Sequence, residues 1–567
     1  MNKPLRSSDP NVPAFRGVSS WLVLVVLAGA VWAVYGRSLD APFLFDDDAS
    51  VLTNTSIRAL WPMVGASERR GPLNPPIEIP TSARPLVNLS LAVNYHFGGV
   101  DPRGYRAINI LLHLLCAMLL WAIVRRTLRL PYFDERLQRA AGLLALAVAL
   151  LWAVHPLVTE AVVYVTQRTE LMVVFFYLAT LYCSLRYWAV ASPASRCSWL
   201  SLATLACLAG AASKEVMVTA PLVVLLFEWT FFGRSLRELL RDSWPLYLGL
   251  GASWVLIIAL QLGAPRNVSA GFGAGVPLLD WWCTQAEVFV MYLRLAAWPS
   301  PLLIHYQLPQ MEPFRSSAPY VLAVVALAVA TLVLLWQHRA AGFLIAGTMV
   351  VLAPTHIVPI VTEVAAERRM YLPLAALVAL VVVSGYWCLL TTTMRREAFW
   401  LPAVGGGLVL LLAIVYGVAS ANRLATYYDP VAIWREVVVR QPYNEIAHTN
   451  LAVALSRAGR KHDAIEHFRS ALQLRPNFAE ARYALGMALA ADRQYDAAIA
   501  ELQTVIQQKP DAYRIHNNLG VVFFSAGRLE EAIAEFEKTL ELQPDFAEAA
   551  ENLNRARRAS VLPKKAQ

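Results

Sequence analysis

"YRAINILLHLLCAMLLWAIVRR", residues 105–126, carries one charge in its first twenty positions and ends on two arginines. An apolar run of about twenty residues is what an α-helix needs to cross the hydrocarbon core of a bilayer. Basic residues at its end mark the cytoplasmic side. The polar exceptions, Arg106, Asn109 and His113, fall at i, i+3 and i+7 and form one stripe of a helix. Polar groups inside a span are costly, so this stripe must face another helix or a cavity. Hydrogen bonding between helices and a pocket-lining role both fit.

The same pattern recurs along the chain. Spans are read at 18–36, 105–124, 140–156, 170–189, 198–213, 216–232, 243–262, 319–337, 341–358, 370–390 and 399–419, eleven in all. The composition agrees: 57% of the 567 residues are hydrophobic and 16% charged. With so apolar a chain, the net charge of +9 points to membrane orientation and not to nucleic acid. Basic groups stand at Lys3–Arg6–Arg16, at 125–139, at 186–196, at 234–241, at His338–Arg339 and at Arg395–Arg396. All six share one face only if 281–300, which carries Arg294 and ends in "WPSP", does not cross. That segment is therefore read as interfacial or re-entrant, which places the N-terminus inside and the C-terminus outside. The first run lacks a small-residue cleavage site and many spans follow it, so it reads as an uncleaved helix. The six cysteines have no metal-type spacing and read as buried thiols.

Beyond residue 420 the period changes. Units 445–478, 479–512 and 513–546 align at 34 residues. Ala452, Gly486 and Gly520 recur, then Ala464, Ala498 and Ala532, then Pro476, Pro510 and Pro544. This is the tetratricopeptide pattern, in which helical hairpins bury their apolar faces only by stacking. A degenerate half-unit lies within 421–444, and 547–558 reads as a capping helix. The expected organisation is a cytoplasmic tail (1–17), a membrane domain (18–420) with an outer loop at 37–104, and the repeats (445–558). The fold class is all-α.

With that topology, polar clusters far apart in sequence meet on the outer face. They are Asp46–Asp48, Arg84 in "SARPLVNLS", "HPLVTEAVVYVTQRTEL" (155–171), Lys214–Glu215 and "EVAAERRMYLP" (363–373). The aspartates read either as a solvated loop or cap, or as a general base or cation ligand beside the membrane, where desolvation raises a carboxyl pKa. Lys214 is the sole lysine between Lys3 and Lys461. It reads either as a snorkelling side chain or, with Arg84, Arg168, Arg368 and Arg369, as a contact for a lipid-linked phosphate. Glu160, Tyr164 and Gln167 form another helical stripe. The triplets at Asn54, Asn88 and Asn267 fit the glycosylation pattern but are common by chance. No Walker loop, dinucleotide fingerprint, zinc spacing or nucleophile elbow is present. A lipid-borne donor accounts for the lack of a nucleotide domain.

"FLFDDDASVLTN" (43–54), "RPLVNLSLAVNYHFGGVDPRGYRAINILLH" (84–113), the 155–171 motif, "SKEVMVTAP" (213–221) and "ERRMYLP" (367–373), followed by tetratricopeptide repeats, resemble the transmembrane and tetratricopeptide repeat-containing O-mannosyltransferases. The resemblance runs from about residue 18 to 550. It implies a GT-C-type fold and transfer of a sugar, mannose in the family, from a polyprenyl-phosphate to a protein Ser or Thr on the non-cytoplasmic side. It places Asp46 and Asp47 on the family's paired acidic motif as catalytic residues, and as the pair that could hold a divalent cation. Lys214, Arg368, Arg84 and Arg168 are expected to bind the donor phosphate. His155, Glu160, Glu215, Glu367, Asn109 and His113 are expected to line the pocket. Partners are the lipid donor and an acceptor protein held by the repeats; no cofactor is required. Gln167 and Met217 depart from the family pattern. The arginine-rich composition favours a bacterial inner membrane with periplasmic repeats; a eukaryotic chain would sit in the endoplasmic reticulum. A membrane scaffold and a carrier of lipid-linked sugars are the rival readings.

Overall fold

A computed structural model of the chain describes residues 19–66, 70–263, 271–273, 275–307, 313–360, 362–392 and 401–561. Every regular element among them is helical. The basic groups Lys3–Arg6–Arg16 and Arg395–Arg396, and the triplet at Asn267, lie outside the described residues. Two compact units divide at Tyr428–Asp429, with 303–309 belonging to the second.

The first unit opens with α1 (Ser20–Tyr35), followed by a loop region holding α2 (Pro85–Gly98). Then come α3 (Pro102–Leu128), α4 (Glu135–Ala153), the short α5 (Thr159–Val163), α6 (Arg168–Ala189), α7 (Pro193–Ala211), α8 (Ala220–Phe232), α9 (Leu236–Asp242) and α10 (Trp244–Gly263). After these follow α11 (Leu278–Ala297), α12 (Pro313–Trp336), α13 (Ala340–Ile357), α14 (Pro373–Thr392) and α15 (Leu401–Thr426). Local chemistry sets several starts. Asp101 caps α3 through the Arg103 amide with Pro102 in the first turn, and Asp134 caps α4 through the Leu137 amide. The 27 residues of α3 make it the longest helix among the described residues, and it packs against both α4 and α6.

Ten helices among the described residues are long and apolar enough to cross a membrane: α1, α3, α4, α6, α8, α10, α12, α13, α14 and α15. The eleventh expected span is α7, whose apolar run is diluted by Ser195, Arg196, Ser198 and Ser201. It nevertheless runs back along α6. A three-residue turn joins the two helices, and Lys214, just past the end of α7, pairs with Glu170 in the first turn of α6. α11, which covers most of 281–300, is outside the ten. Its Trp281 and Trp282 indoles donate to the carbonyls of His356 (2.9 Å) and Ile357 (3.1 Å), and its Tyr292 hydroxyl to that of Ala366 (3.0 Å). It thus covers the turn that follows α13.

The second unit begins with α16 (Pro430–Arg440) and continues as hairpins α17 (Glu445–Arg457)/α18 (Lys461–Leu474), α19 (Ala479–Ala491)/α20 (Tyr495–Gln508) and α21 (Tyr513–Ser525)/α22 (Leu529–Leu542), closed by α23 (Ala547–Val561). The recurrent small positions are steric. A Cβ on Gly486 would lie 2.9 Å from Leu502, and one on Gly520 2.6 Å from Phe536. Ala464, Ala498 and Ala532 are fully buried. The extended segment 303–307 also belongs here: the Gln307 amide donates to Gln441 Oε1 (3.1 Å) and its side chain to Glu445 (2.7 Å).

One further pairing recurs in each hairpin. Arg482 meets Glu501 at 2.6 Å and His516 meets Glu535 at 2.6 Å, each also donating to the carbonyl of the preceding proline, Pro476 or Pro510. In the first hairpin His448 occupies the same place and donates to Pro442, but its partner is His467, at 3.1 Å between Nδ1 atoms. Burial lowers both imidazole pKa values, and the His448 charge lowers that of His467 further. A histidine depressed on folding supports stability above its unfolded value of ~6.5 and loses that support as pH falls below it. Hydrogen exchange of the full chain, corrected for intrinsic rates, should therefore show 445–475 losing protection between pH 7.5 and 5.5. His467→Glu should reverse that trend.

Candidate functional site

The aspartates sit in a loop built to hold them differently. Asp47 is fully buried. Its Oδ1 accepts from the amide and hydroxyl of Thr166, both at 2.7 Å, and its Oδ2 from the Leu44 amide at 3.0 Å. Burial pushes its pKa up to about 6, against the pull of these donors and of Arg106. Asp46 instead turns outward and is exposed. Its amide donates to the Tyr164 hydroxyl at 2.9 Å. Crowding by protein atoms raises its carboxyl above the ordinary range, opposed by Arg368, Tyr164 and Arg84. Phe45, just before the aspartates, has a left-handed φ of 45°. Ala83, just before Arg84, has a φ of 59°. Such conformations cost non-glycine residues about 1–2 kcal/mol and gather at functional sites.

Around Asp46 lies a charged network. Glu160 is buried; it accepts from the Arg368 amide at 3.0 Å and from its guanidinium at 2.6 Å. The other arm of Arg368 pairs with Glu363, which Arg369 also approaches at 3.5 Å. Burial works against the Arg368 charge, and the two glutamates hold it charged. On the neighbouring turn Lys214 pairs with Glu170, and Arg84 with Glu215 at 3.1 Å. Burial lowers the Lys214 pKa and Glu170 opposes this. Arg84 acts electrostatically on both Asp46 and Lys214.

The cluster around Lys214 continues into the helices. A narrow cavity of about 20 Å³ is lined by Glu170, Lys214, Thr355 and Arg369 at its polar end. Tyr177, Val351 and Leu372 line it too, and they also line a larger apolar cavity of about 150 Å³ between α3, α6, α8, α13 and α14. The second cavity reaches Leu128 and Phe133 beyond the far end of α3.

Several expected site residues have other duties. Arg168 is fully buried, and its guanidinium donates to Asn109 (2.9 Å), Asn94 (2.6 Å) and the carbonyls of Ser90 (3.2 Å) and Tyr105 (2.8 Å). It ties α2, α3 and α6 together. Asn109 and His113 likewise join helices. Asn109 also donates to Val162 O, while His113 bridges Tyr371 (2.6 Å) and Ala153 O (2.9 Å). His155 caps the following turn through the Leu157 amide and donates Nε2–H to Ala296 O at 3.2 Å. Burial pushes it down to about 4, so it is neutral. Glu367 is buried against Arg423 at 3.6 Å. Asn54 and Asn88 are buried and bonded to each other at 2.9 Å. Met217 packs where Gly210 lacks a Cβ, which accounts for the large residue there. Three N–H and O–H donors already occupy Asp47, so a cation between the aspartates would compete with the bonds that hold the loop. Among the described residues no group of three or more His, Cys, Asp or Glu could hold a metal. Glu170, Glu363 and Thr355 are not singled out individually in the sequence reading, whereas Arg369 stands there among the phosphate contacts. Glu170 had one signal, its place three residues after Gln167 at the end of the 155–171 motif.

The two units define a polytopic membrane protein carrying a tetratricopeptide solenoid. A tetratricopeptide repeat family model matches residues 449–509 and 483–545. The chain is homologous to the TMTC proteins. Human protein O-mannosyl-transferase TMTC1 is 26% identical over 514 residues, which cover 79% of this chain and 54% of that protein. Mouse protein O-mannosyl-transferase TMTC4 is 24% identical over 484 residues, covering 77% and 64%. The Drosophila melanogaster protein O-mannosyl-transferase Tmtc1 is 32% identical over 171 residues, covering 29% and 19%. The chain thus spans about half the length of TMTC1. The crystal structure of MamA matches at 28% identity and a TM-score of 0.22, covering 23% of this chain and 76% of MamA.

Breaking the Arg168 knot should cost on the order of 3–5 kcal/mol, because a buried charge-bonded network loses its centre. Arg168→Met should therefore show a sharply lowered thermal midpoint in detergent.

Proposed function

We propose that the chain is a glycosyltransferase that moves a sugar, mannose in the first instance, from a polyprenyl-phosphate to a Ser or Thr hydroxyl on the non-cytoplasmic side of a membrane. The observation that carries this reading is the placement of Asp46. It is an exposed carboxylate of raised pKa within the electrostatic reach of Arg368 and Arg84, and a cavity lined by Lys214 and Arg369 shares Tyr177, Val351 and Leu372 with a larger apolar one. A donor that is phosphate at one end and hydrocarbon at the other matches that sequence of environments.

Asp46 takes the proton of the acceptor hydroxyl as its oxygen attacks the anomeric carbon. The bond from that carbon to the phosphate oxygen breaks, and the pair of electrons leaves with the polyprenyl phosphate. Attack from the face opposite the phosphate inverts the anomeric centre. Lys214 and Arg369 line the cavity and stabilise the charge growing on the leaving phosphate. Arg368, held by Glu160 and Glu363, steadies the ionised form of Asp46. Asp47 is a positioning residue: its three internal bonds fix the loop that presents Asp46.

The names of the homologues support mannose and a protein acceptor. Counting α7 with the ten apolar helices gives eleven crossings, which put the repeats on the outer side, the periplasm of a bacterium or the lumen of the endoplasmic reticulum. The repeats then hold the acceptor polypeptide, as stacked hairpins commonly do.

The test supplies polyprenyl-phosphate mannose to the purified full chain in lipid and measures sugar release and sugar-sized mass increments on co-purified protein. Wild type should cleave the donor. Asp46→Asn should lose about 10²–10⁴-fold, the usual worth of a general base, with an unchanged thermal midpoint. Asp47→Asn should lose stability as well, because its amide nitrogen must face an N–H donor. No cleavage of mannose or of other lipid-linked sugars by wild type would return the chain to a scaffold role. Lipid movement without cleavage would make it a carrier.

A further inference from the structure

Glu170 stands at the polar end of the narrow cavity, in the first turn of α6, with its side chain 6% exposed. A carboxylate beside a leaving phosphate is unfavourable for transfer, since it adds negative charge where negative charge grows. Its geometry supplies another use. Its Oε1 bonds Lys214 Nζ, so it occupies the position from which a phosphate oxygen would meet that ammonium. Lys214 and Arg369 are the two cationic side chains lining this cavity, and Arg369 is tied to Glu363 and to the carbonyls of Glu363 (2.8 Å) and Val364 (3.1 Å). Each cation thus has an anionic partner within the protein.

Charge arithmetic makes this consequential. The donor is a phosphodiester with one negative charge; the product is a monoester with between one and two. Two unopposed cations in a poorly screened cavity would hold the product more tightly than the donor. A tethered carboxylate competes for Lys214 at a high effective concentration and weakens both. We propose that Glu170 is an internal stand-in for phosphate: it holds Lys214 in the empty site and, by reclaiming it after transfer, releases the polyprenyl phosphate. Glu170 is a positioning residue acting through Lys214, and this role rests on the reading of the cavity as the donor-phosphate seat.

The experiment measures binding of farnesyl monophosphate, a short soluble product analogue, to the full chain in lipid nanodiscs. Farnesol and inorganic phosphate run alongside. Glu170→Gln should bind farnesyl monophosphate about tenfold more tightly than wild type, and Glu170→Asp, which keeps the charge, should return toward wild type. The gain should vanish when Lys214→Gln is added, and inorganic phosphate should show it too. In turnover, kcat and KM for the donor should fall together in Glu170→Gln, with deeper inhibition by farnesyl monophosphate. If wild type binds and Glu170→Gln binds equally or more weakly, the stand-in role is overturned while the phosphate seat survives. A gain shared by farnesol assigns the effect to the hydrocarbon and also overturns it. Absence of farnesyl monophosphate binding in every variant overturns the phosphate seat itself, and this role with it.

Discussion

The guanidinium of Arg106 lies fully buried in the longest helix, and its donors reach the carbonyls of Ala41, Pro42 and Val163. Two irregular segments 120 residues apart are thereby fastened to one side chain. Loop backbone can be buried only where its polar groups find partners. Here one charged fork supplies three of them. Asp47 completes the fastening from the other side, accepting from Leu44 within the loop and from Thr166 across it, with the Arg106 charge close enough to act on it. Removing either side chain would leave several buried backbone groups without their hydrogen-bond partner. Asp46 turns outward beside this arrangement, just past the left-handed Phe45.

A second theme is neutralisation by pairs. Lys214 with Glu170, Arg84 with Glu215, and Arg368 with Glu160 each join segments that are distant in sequence, while Glu363 holds Arg368 from its own segment. Ion pairs on an open surface contribute little, but these have mostly buried partners, where screening is weak and geometry must be good. Such a site is stable when empty, yet its charges can be re-partitioned by an incoming anion. The same pairing logic appears in the repeats, where one position is filled by Arg482–Glu501, His516–Glu535 and the exceptional His448–His467.

Much of the architecture was legible in the sequence because it rests on periodicity. Apolar runs near twenty residues and small residues at 34-residue spacing each have one economical fold. The α7 span shows the limit of that signal: serines and an arginine dilute its hydropathy, and only the pairing of Lys214 with Glu170 shows it running the length of α6. The polar residues were legible as a set and not as individuals. Arg168, Asn109 and His113 look like functional residues in a span, and they are the bonds that hold the spans together. Sequence spacing shows which face of a helix a group lies on; it does not show whether that face meets a cavity or a neighbour.

What the sequence determined alone is therefore the solvent and the repeat: which segments must leave water, and which hairpins must stack. Both follow from local composition and period, which need no knowledge of distant residues. What only the tertiary structure decided is the division of labour among the charges. Asp46 and Asp47 are chemically identical neighbours, and Arg368 and Arg369 likewise. Their roles separate through burial and through partners contributed by Tyr164, Thr166, Glu160 and Glu363. Those are properties of assembled space, because desolvation and ion pairing depend on what lies within a few ångströms and not on what lies next in the chain.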